Sequence, residues 1–340
     1  MHKLNVIVAG STGYIGLQLI KLLIKHKNIN IKYLCGNSST GNKISHFDNF
    51  FRNKKLPKIV KFKKSYLKNV DIIFTALPNG EAQDISQYLL KKNTLIDLSA
   101  DFRLIKSKDY YKWYKQRHRA PSKNKESIYS LPELCSKNIK KYKIISCPGC
   151  YPTSILLPLI PLIKKNIINL KNIIIDSKSG YSGAGRSVHK KHANKNLYES
   201  LSAYGVGFHK HNSEIQQEIK KITKKSFNFI FTPHLSPMLR GILSTIYIET
   251  NKKIRINKLN KILKSFYIKN IFIKILKSNK TISTNDVINT NNCYISICKT
   301  KYNNKYIILS AIDNLIKGGA GQAIQNMNLK FNFPEARGLK

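Results

Sequence analysis

The strand-length apolar run Leu4–Ala9 passes directly into Gly10-Ser11-Thr12-Gly13-Tyr14-Ile15-Gly16, and then into a helix-patterned stretch over residues 17–25. No other feature constrains the chain as tightly. Glycines between a strand and a helix let the backbone approach a diphosphate closely, and the unpaired N–H groups at the helix start hold its charge. The spacing is G-x-x-G-x-x-G, a variant of the usual dinucleotide fingerprint. In this strand–helix setting Gly10, Ser11, Thr12, Gly13, Tyr14, Ile15 and Gly16 become candidate cofactor contacts. A glycine-rich turn with no ligand is the competing reading.

The alternation continues. Residues 30–34, 71–76 and 95–98 read as buried strands, and helices are expected between them. Repeats of this kind specify a parallel, doubly wound sheet whose ligands bind beyond the strand carboxyl ends. Folds that select NAD usually end the second strand with an acidic residue for the ribose hydroxyls. Here that strand runs into Cys35-Gly36-Asn37-Ser38-Ser39-Thr40-Gly41-Asn42-Lys43, and no acid occurs before Asp48. Asn37, Ser38, Ser39 and Lys43 suit a 2′-phosphate, so NADP(H) is expected rather than NAD. Arg103 follows another strand end and could hold a phosphate or carboxylate in its planar fork. A structural ion pair with Asp101 is the alternative.

Residues 142–146 read as a strand leading into Cys147-Pro148-Gly149-Cys150. A helix is expected over 154–165, kinked by Pro158 and Pro161. Cys150 then lies just ahead of a helix start, where an anion is favoured and a thiol becomes a reactive thiolate. The C-x-x-C spacing leaves three readings open: a nucleophile, a buried structural cysteine pair and a redox dithiol. After residue 165 the strand-like segments 172–177, 228–231 and 241–249 lack regular intervening helices, which predicts a second α+β domain with a mixed or antiparallel sheet. Ser179-Gly180-Tyr181-Ser182-Gly183-Ala184-Gly185-Arg186 could wrap an anionic ligand or the nicotinamide side of a cofactor. His209 and His211, read as two positions on one face of a strand, are both eligible as a general acid/base, and no complete metal-ligand set accompanies them. Asn314 sits where the chain is expected to return to the first domain, near the cofactor. The expected division is 1–150 with 314–332 for the nucleotide, and 151–313 for catalysis and dimerisation.

The 60 Lys and Arg against 17 Asp and Glu give a net charge of +43, which raises nucleic-acid binding as a possibility. The lysines are spread along the whole chain among Ile and Asn, three residues with A/T-rich codons. Around 256–266 they flank a helical stripe of Ile256, Leu259, Ile262, Leu263 and Phe266, as a solvated face would. No specific nucleic-acid partner is expected. Six irregularly spaced cysteines and the absence of a leader or membrane-length apolar run point to a reducing cytoplasm and no membrane association.

Taken in order, these segments resemble the N-acetyl-gamma-glutamyl-phosphate reductases of arginine biosynthesis. The resemblance is carried by Gly10 to Gly16, Ala76-Leu77-Pro78-Asn79-Gly80, Ser99-Ala100-Asp101-Phe102-Arg103-Leu104, Tyr129-Ser130-Leu131-Pro132-Glu133-Leu134 and Pro148-Gly149-Cys150-Tyr151-Pro152-Thr153. It continues through the Ser179 to Arg186 loop, His209-Lys210-His211-Asn212-Ser213-Glu214-Ile215, Pro237-Met238-Leu239-Arg240-Gly241-Ile242 and Ala311-Ile312-Asp313-Asn314-Leu315. Asn79 and Lys210 stand where the family often has His and Arg. The resemblance implies NADPH-dependent reduction of N-acetylglutamyl phosphate to the semialdehyde with release of phosphate. It makes Cys150 the nucleophile and His209 the acid/base. It assigns Arg103, His211, Glu214, Ser182 and Arg240 to substrate, and adds Leu77, Pro78, Ser179, Gly180, Gly183, Ala184 and Asn314 to the cofactor set. A homodimer or homotetramer is implied as well. A sister acyl-phosphate reductase, acting on aspartyl phosphate or a carrier-bound aminoadipyl phosphate, is the alternative.

Overall fold

A computed structural model describes residues 3–135, 138–185, 199–224 and 227–340. The chain divides into two compact units, residues 1–148 with 319–340, and residues 149–318.

The first unit is built on strands β1 (Leu4–Ala9), β2 (Ile29–Cys35), β3 (Ile59–Val60), β4 (Ile72–Thr75), β5 (Thr94–Asp97), β6 (Ser127–Tyr129) and β7 (Ile144–Ser146). They form one sheet in the order β3-β2-β1-β4-β5-β7-β6, and every pairing in it is parallel. Val6, Ile7, Val8 and Ala9 are all buried, as in a strand covered on both faces. Helix α1 (Tyr14–Ile24) buries Leu17, Leu19, Ile20, Leu22 and Leu23. Shorter helices α2 (Glu81–Ser86), α3 (Ser107–Tyr114) and α4 (Pro132–Cys135) follow later strands. Asp101 caps the start of α2, its carboxylate accepting the N–H groups of Gly80, Ala82 and Gln83 and the hydroxyl of Tyr110. Burial, then the nearby Asp97, pushes this carboxyl up to about 7. The doubly wound expectation is met, and strand order reverses between β1 and β4, where such sheets open a ligand crevice.

The second unit starts with α5 (Cys150–Lys164) and carries β8 (Ile173–Gly180), β9 (Ser202–Ala203), α6 (His211–Thr223), β10 (Phe229–Ser236), β11 (Ile242–Glu249), α7 (Ile256–Phe266), β12 (Ile273–Ile275), β13 (Cys293–Lys299) and β14 (Lys305–Ile312). The sheet order is β12-β13-β14-β11-β8-β10-β9, and parallel and antiparallel pairings are mixed. Strand β10 runs past the expected end because it stays paired with β8 through Ser236, and Pro233, which cannot donate, is tolerated where its other neighbour β9 pairs only at His234 and Leu235. Helix α7 buries Ile256, Leu259 and Leu263 and leaves Lys258, Lys261 and Lys264 exposed. Helix α8 (Gly321–Lys330) belongs to the first unit, where the Asn326 side chain bonds Ser130. No helix among the described residues is long and apolar enough to cross a membrane.

Helix α5 begins four residues earlier than its sequence pattern suggests and contains both prolines. Pro161 has no N–H to offer the carbonyl of Leu157, and the hydroxyl of Tyr267 donates to that carbonyl instead at 2.6 Å. Buried hydroxyls then fasten the helix to the sheet, Ser154 to Ser244 and Ser244 to Ser177, each at 2.7 Å. Tyr267→Phe leaves the buried Leu157 carbonyl unpaired and is expected to cost about 1–3 kcal/mol. Denaturant unfolding checks this, and an unchanged midpoint would contradict it.

Candidate active site

Cys150 is the first residue of α5, and its cap position is Gly149, which has no side chain to cap it with. The turn is held from below by α6. Glu214, which has no exposed surface, accepts the Gly149 N–H at 2.9 Å through Oε2. A Cβ added to Gly149 would come within 2.4 Å of Nε2 of His211, so only glycine fits against that ring. Nε2 of His211 also lies 3.7 Å from Oε1 of Glu214. The cysteine itself is packed as closely. A Cβ on Gly318 would meet the Cys150 Cβ at 2.6 Å.

The two histidines do not share a strand. His211 opens α6 and Lys210, in the right-handed helical region, precedes it, so the strand-face reading is corrected. Ser213 favours the helix start by donating to the Lys210 carbonyl, and Glu214 in the first turn suits the helix dipole. The rings still meet, with centroids 4.7 Å apart. Burial, with Lys210 adding to it, pushes His209 down to about 4. Tyr151 and Tyr204 bond each other through their hydroxyls at 3.1 Å, and burial pushes the Tyr204 phenol up to about 12.

A second cluster in this unit gathers around Asp313, which sequence reasoning missed. Its buried carboxylate lies 3.1 Å from Nε of Arg240 and accepts the N–H groups of Asn289, Leu315 and Ile316. Its carbonyl accepts the N–H of Gly318, which ties the cluster to the residue packed on Cys150. Asn314 accepts the Gly241 N–H and donates to the Ser182 hydroxyl. Ser179, Gly180 and Gly183 lie on the same stretch, and Gly180 packs so tightly on Arg240 that a Cβ would reach its backbone at 2.6 Å. Ala184 ends the short turn after β8, and Arg186 lies outside the described residues. Asp313 stood out in one way only, as an acid directly after an apolar strand in a chain that has few acids.

In the first unit Arg103 is buried, donating through Nε to the Cys147 carbonyl at 2.9 Å and through Nη2 to that of Leu98. It therefore steadies the strand end that leads into the Pro148-Gly149-Cys150 turn. Cys147 is sealed, with 1% of its surface exposed. Burial pushes its thiol up to about 12, and the Asn326 amide donates to its sulfur.

The nucleotide candidates follow β1, β2 and β4, which are neighbours in the sheet. Gly10 has a φ of +83°, and a Cβ there would strike the Ala76 carbonyl oxygen at 2.1 Å. Gly13 faces open space apart from one backbone oxygen at 3.6 Å, over an α1 start that has no side-chain cap and no acid in its first turn. Thr12 lies in this turn and Tyr14 and Ile15 open α1, all three half-buried. The Ser11 hydroxyl is used internally, donating to the Cys35 carbonyl. A cavity of about 300 Å³ adjoins, lined by Ala9, Cys35, Asn37, Lys61, Leu77 and Glu81 among others. Ser38 and Lys43 are exposed on the loop beyond β2, Ser39 is buried in it, and Pro78 is exposed after β4. Lys61 is a cation in this cavity that the sequence reading did not single out. The arrangement fits a dinucleotide phosphate over α1 and a phosphorylated ribose beside the β2 loop.

Residues 5–142 match a family profile described as semialdehyde dehydrogenase, NAD binding domain, and residues 150–314 match one described as semialdehyde dehydrogenase, dimerisation domain. A protein of Vesicomyosocius okutanii named N-acetyl-gamma-glutamyl-phosphate reductase is 45% identical across 100% of this chain and 98% of its own length. One of the same name from Clostridium beijerinckii is 41% identical with the same coverage. The chain belongs to the N-acetyl-gamma-glutamyl-phosphate reductase family. A relative from Arabidopsis thaliana, named as a probable chloroplastic member, is 39% identical over 97% of the chain and 82% of the relative. Among solved structures, aspartate semialdehyde dehydrogenase II of Vibrio cholerae superimposes with a TM-score of 0.72 at 17% identity, covering 98% and 99% of the two chains. The Candida albicans enzyme, solved with NADP, gives 0.68 at 18%, covering 96% and 98%. At such identities these two show the fold alone. As a family member the chain is an oxidoreductase of amino-acid biosynthesis that uses NADP(H).

Gly149→Ala is expected to leave folding cooperative while lowering kcat at least ~100-fold, because the new methyl displaces the Cys150 turn from His211. Steady-state kinetics beside thermal unfolding checks it, and near-normal turnover would show that the turn tolerates the shift.

Proposed function

We propose that this chain reduces N-acetyl-L-glutamyl 5-phosphate to the 5-semialdehyde through a thioester on Cys150, releasing phosphate. The observation that carries the reading is the seat of Cys150 as the first residue of α5, fixed by Glu214, His211 and Gly318. A helix start stabilises negative charge, so the sulfur is held as a nucleophile. Its attack on the acyl phosphate forms the C–S bond, and phosphate departs with the electrons of the C–O bond. The thioester accepts hydride far more readily than a carboxylate would, and NADPH when bound supplies that hydride. His209 stands beside Tyr151, the residue next to Cys150, as the group that serves the reacting oxygen. Arg240, oriented by Asp313 and Asn289, and Ser182, held by Asn314, are assigned to the anionic substrate. His211 and Glu214 support the nucleophile from beneath. Arg103 braces the strand end before it. In the first unit Gly13 and the α1 amides hold the diphosphate, and Asn37, Ser38, Lys43 and Lys61 surround the ribose phosphate. A redox dithiol is disfavoured because Cys147 is sealed and its thiol pushed up. No disulfide joins any of the six cysteines, in keeping with a reducing cytoplasm.

The open face of the second sheet is assigned to self-association, in keeping with the dimerisation profile that this unit matches. Ile230, Ile174, Tyr247 and Ile307 stand opposite one another across β10, β8, β11 and β14. The first three are 62%, 46% and 42% exposed, an apolar row that a second copy would cover. Ile230→Lys is expected to shift the protein to a smaller species in light scattering. An unchanged mass would place the interface elsewhere.

Cys150→Ser should abolish phosphate-dependent turnover, whereas Cys147→Ser keeps most of it. Equal loss in two folded variants would return the dithiol reading. Turnover retained in Cys150→Ser would end the thioester one.

A further inference from the structure

The cavity of about 300 Å³ in the first unit is lined with opposite chemistry by two parts of the chain. Asn37 and Lys61, from the segments after β2 and β3, give it donors and a positive charge. Glu81 and Asp84, at i and i+3 on one face of α2, give it two carboxylates. The floor between them is apolar. Ala9, Cys35 and Ile85 belong there to one core cluster, and Phe62 and Leu77 pack against it. Strands β2 and β4 flank β1, so the two walls spring from strands about 10 Å apart.

The two carboxylates are not equivalent. Asp84 is taken by Arg119, whose Nη1 donates to it at 2.6 Å. The half-buried Glu81 carboxylate accepts no such bond among the described residues. Burial raises it above the ordinary carboxylate range, with Arg119 opposing the rise and Asp84 adding to it. The helix start that carries Glu81 is fixed, because the Asp101 carboxylate accepts the N–H groups of Gly80, Ala82 and Gln83.

An acid repels a phosphorylated ribose in the same cavity unless a donor of that ligand meets it. The donors of a 2′-phosphoadenosine are its ribose 3′-hydroxyl and the 6-amino group of its base. The 3′-hydroxyl stands on the carbon next to the phosphate, and so stays on the side of Asn37 and Lys61. The amino group lies at the far edge of the base.

We propose that Glu81 accepts a hydrogen bond from the 6-amino group of the cofactor's base, and so selects an adenine nucleotide. The proposal rests on the placement of the ribose phosphate at Asn37 and Lys61. Hypoxanthine carries a carbonyl oxygen in place of that amino group, so two acceptors would then face each other, and the wrong base is rejected by repulsion.

The test measures dissociation constants for NADPH and for its hypoxanthine analogue on the full chain without substrate, from the fluorescence of the reduced nicotinamide that both share. The parent is expected to bind NADPH at least ~10-fold more tightly. Glu81→Gln, whose amide can donate to the carbonyl or accept from the amine, is expected to bring the two constants within about twofold. Equal binding of both nucleotides by the parent overturns the proposal. So does a Glu81→Gln variant that weakens both by the same factor, which is what a bond to the ribose hydroxyl or a merely structural role would give. The parent's ratio needs no variant, so the proposal stays open to refutation even if Glu81→Gln fails to fold. Failure of the ribose-phosphate placement would appear separately, as a Lys61→Ala variant that keeps the parent's preference for NADPH over NADH.

Discussion

One hydrogen bond anchors the candidate chemistry, the Gly149 N–H to the buried carboxylate of Glu214 at 2.9 Å. It joins the turn before α5 to the first turn of α6, and so sets where Cys150 stands relative to both histidines. The bond is feasible only because residue 149 lacks a side chain, since the His211 ring fills the space a methyl would need. Gly318 closes the cysteine from the other side and is itself held by Asp313. The same aspartate fixes Arg240. Nucleophile seat and anion-binding arginine thus share one chain of contacts within the second unit, and a charged hydrogen bond of this kind is worth more than a neutral one.

Much of this was legible in the sequence. The strand–glycine–helix order at residues 4–25 specified the first sheet, because a close backbone approach and 3.6-residue periodicity leave local marks. Cys150 at a helix start was legible for the same reason. The histidine pair was misplaced on a strand, since the two rings stand at i and i+2, a spacing that shares one face of a strand. The helix is decided by Ser213 and Glu214 further on. Tyr151 could not be read as a neighbour of His209, nor Gly318 of Cys150, because the first contact spans tens of residues and the second more than a hundred. The Tyr267 hydroxyl that replaces the missing Pro161 donor is 110 residues from its acceptor, and no local pattern announces it.

The strongly basic composition separates drift from constraint. With 17 acids against 60 bases, surface carboxylates are scarce. Asp97, Asp101, Glu214 and Asp313 nevertheless have no exposed surface, and each accepts backbone N–H groups at a turn or helix start. Lysines on α7 lie on its exposed face, where substitution costs little. Acids in this chain therefore mark structural joints, and two of the four named here are in the candidate active site.

The central claim is that Cys150 carries the acyl group. Mixing the enzyme with N-acetylglutamyl phosphate in the absence of NADPH, then measuring released phosphate and mapping the modified peptide by mass spectrometry, tests it most directly. The account predicts a rapid burst of about one phosphate per active site and an acyl adduct on Cys150. Phosphate release that waits for NADPH, or an adduct on any other residue, would contradict it.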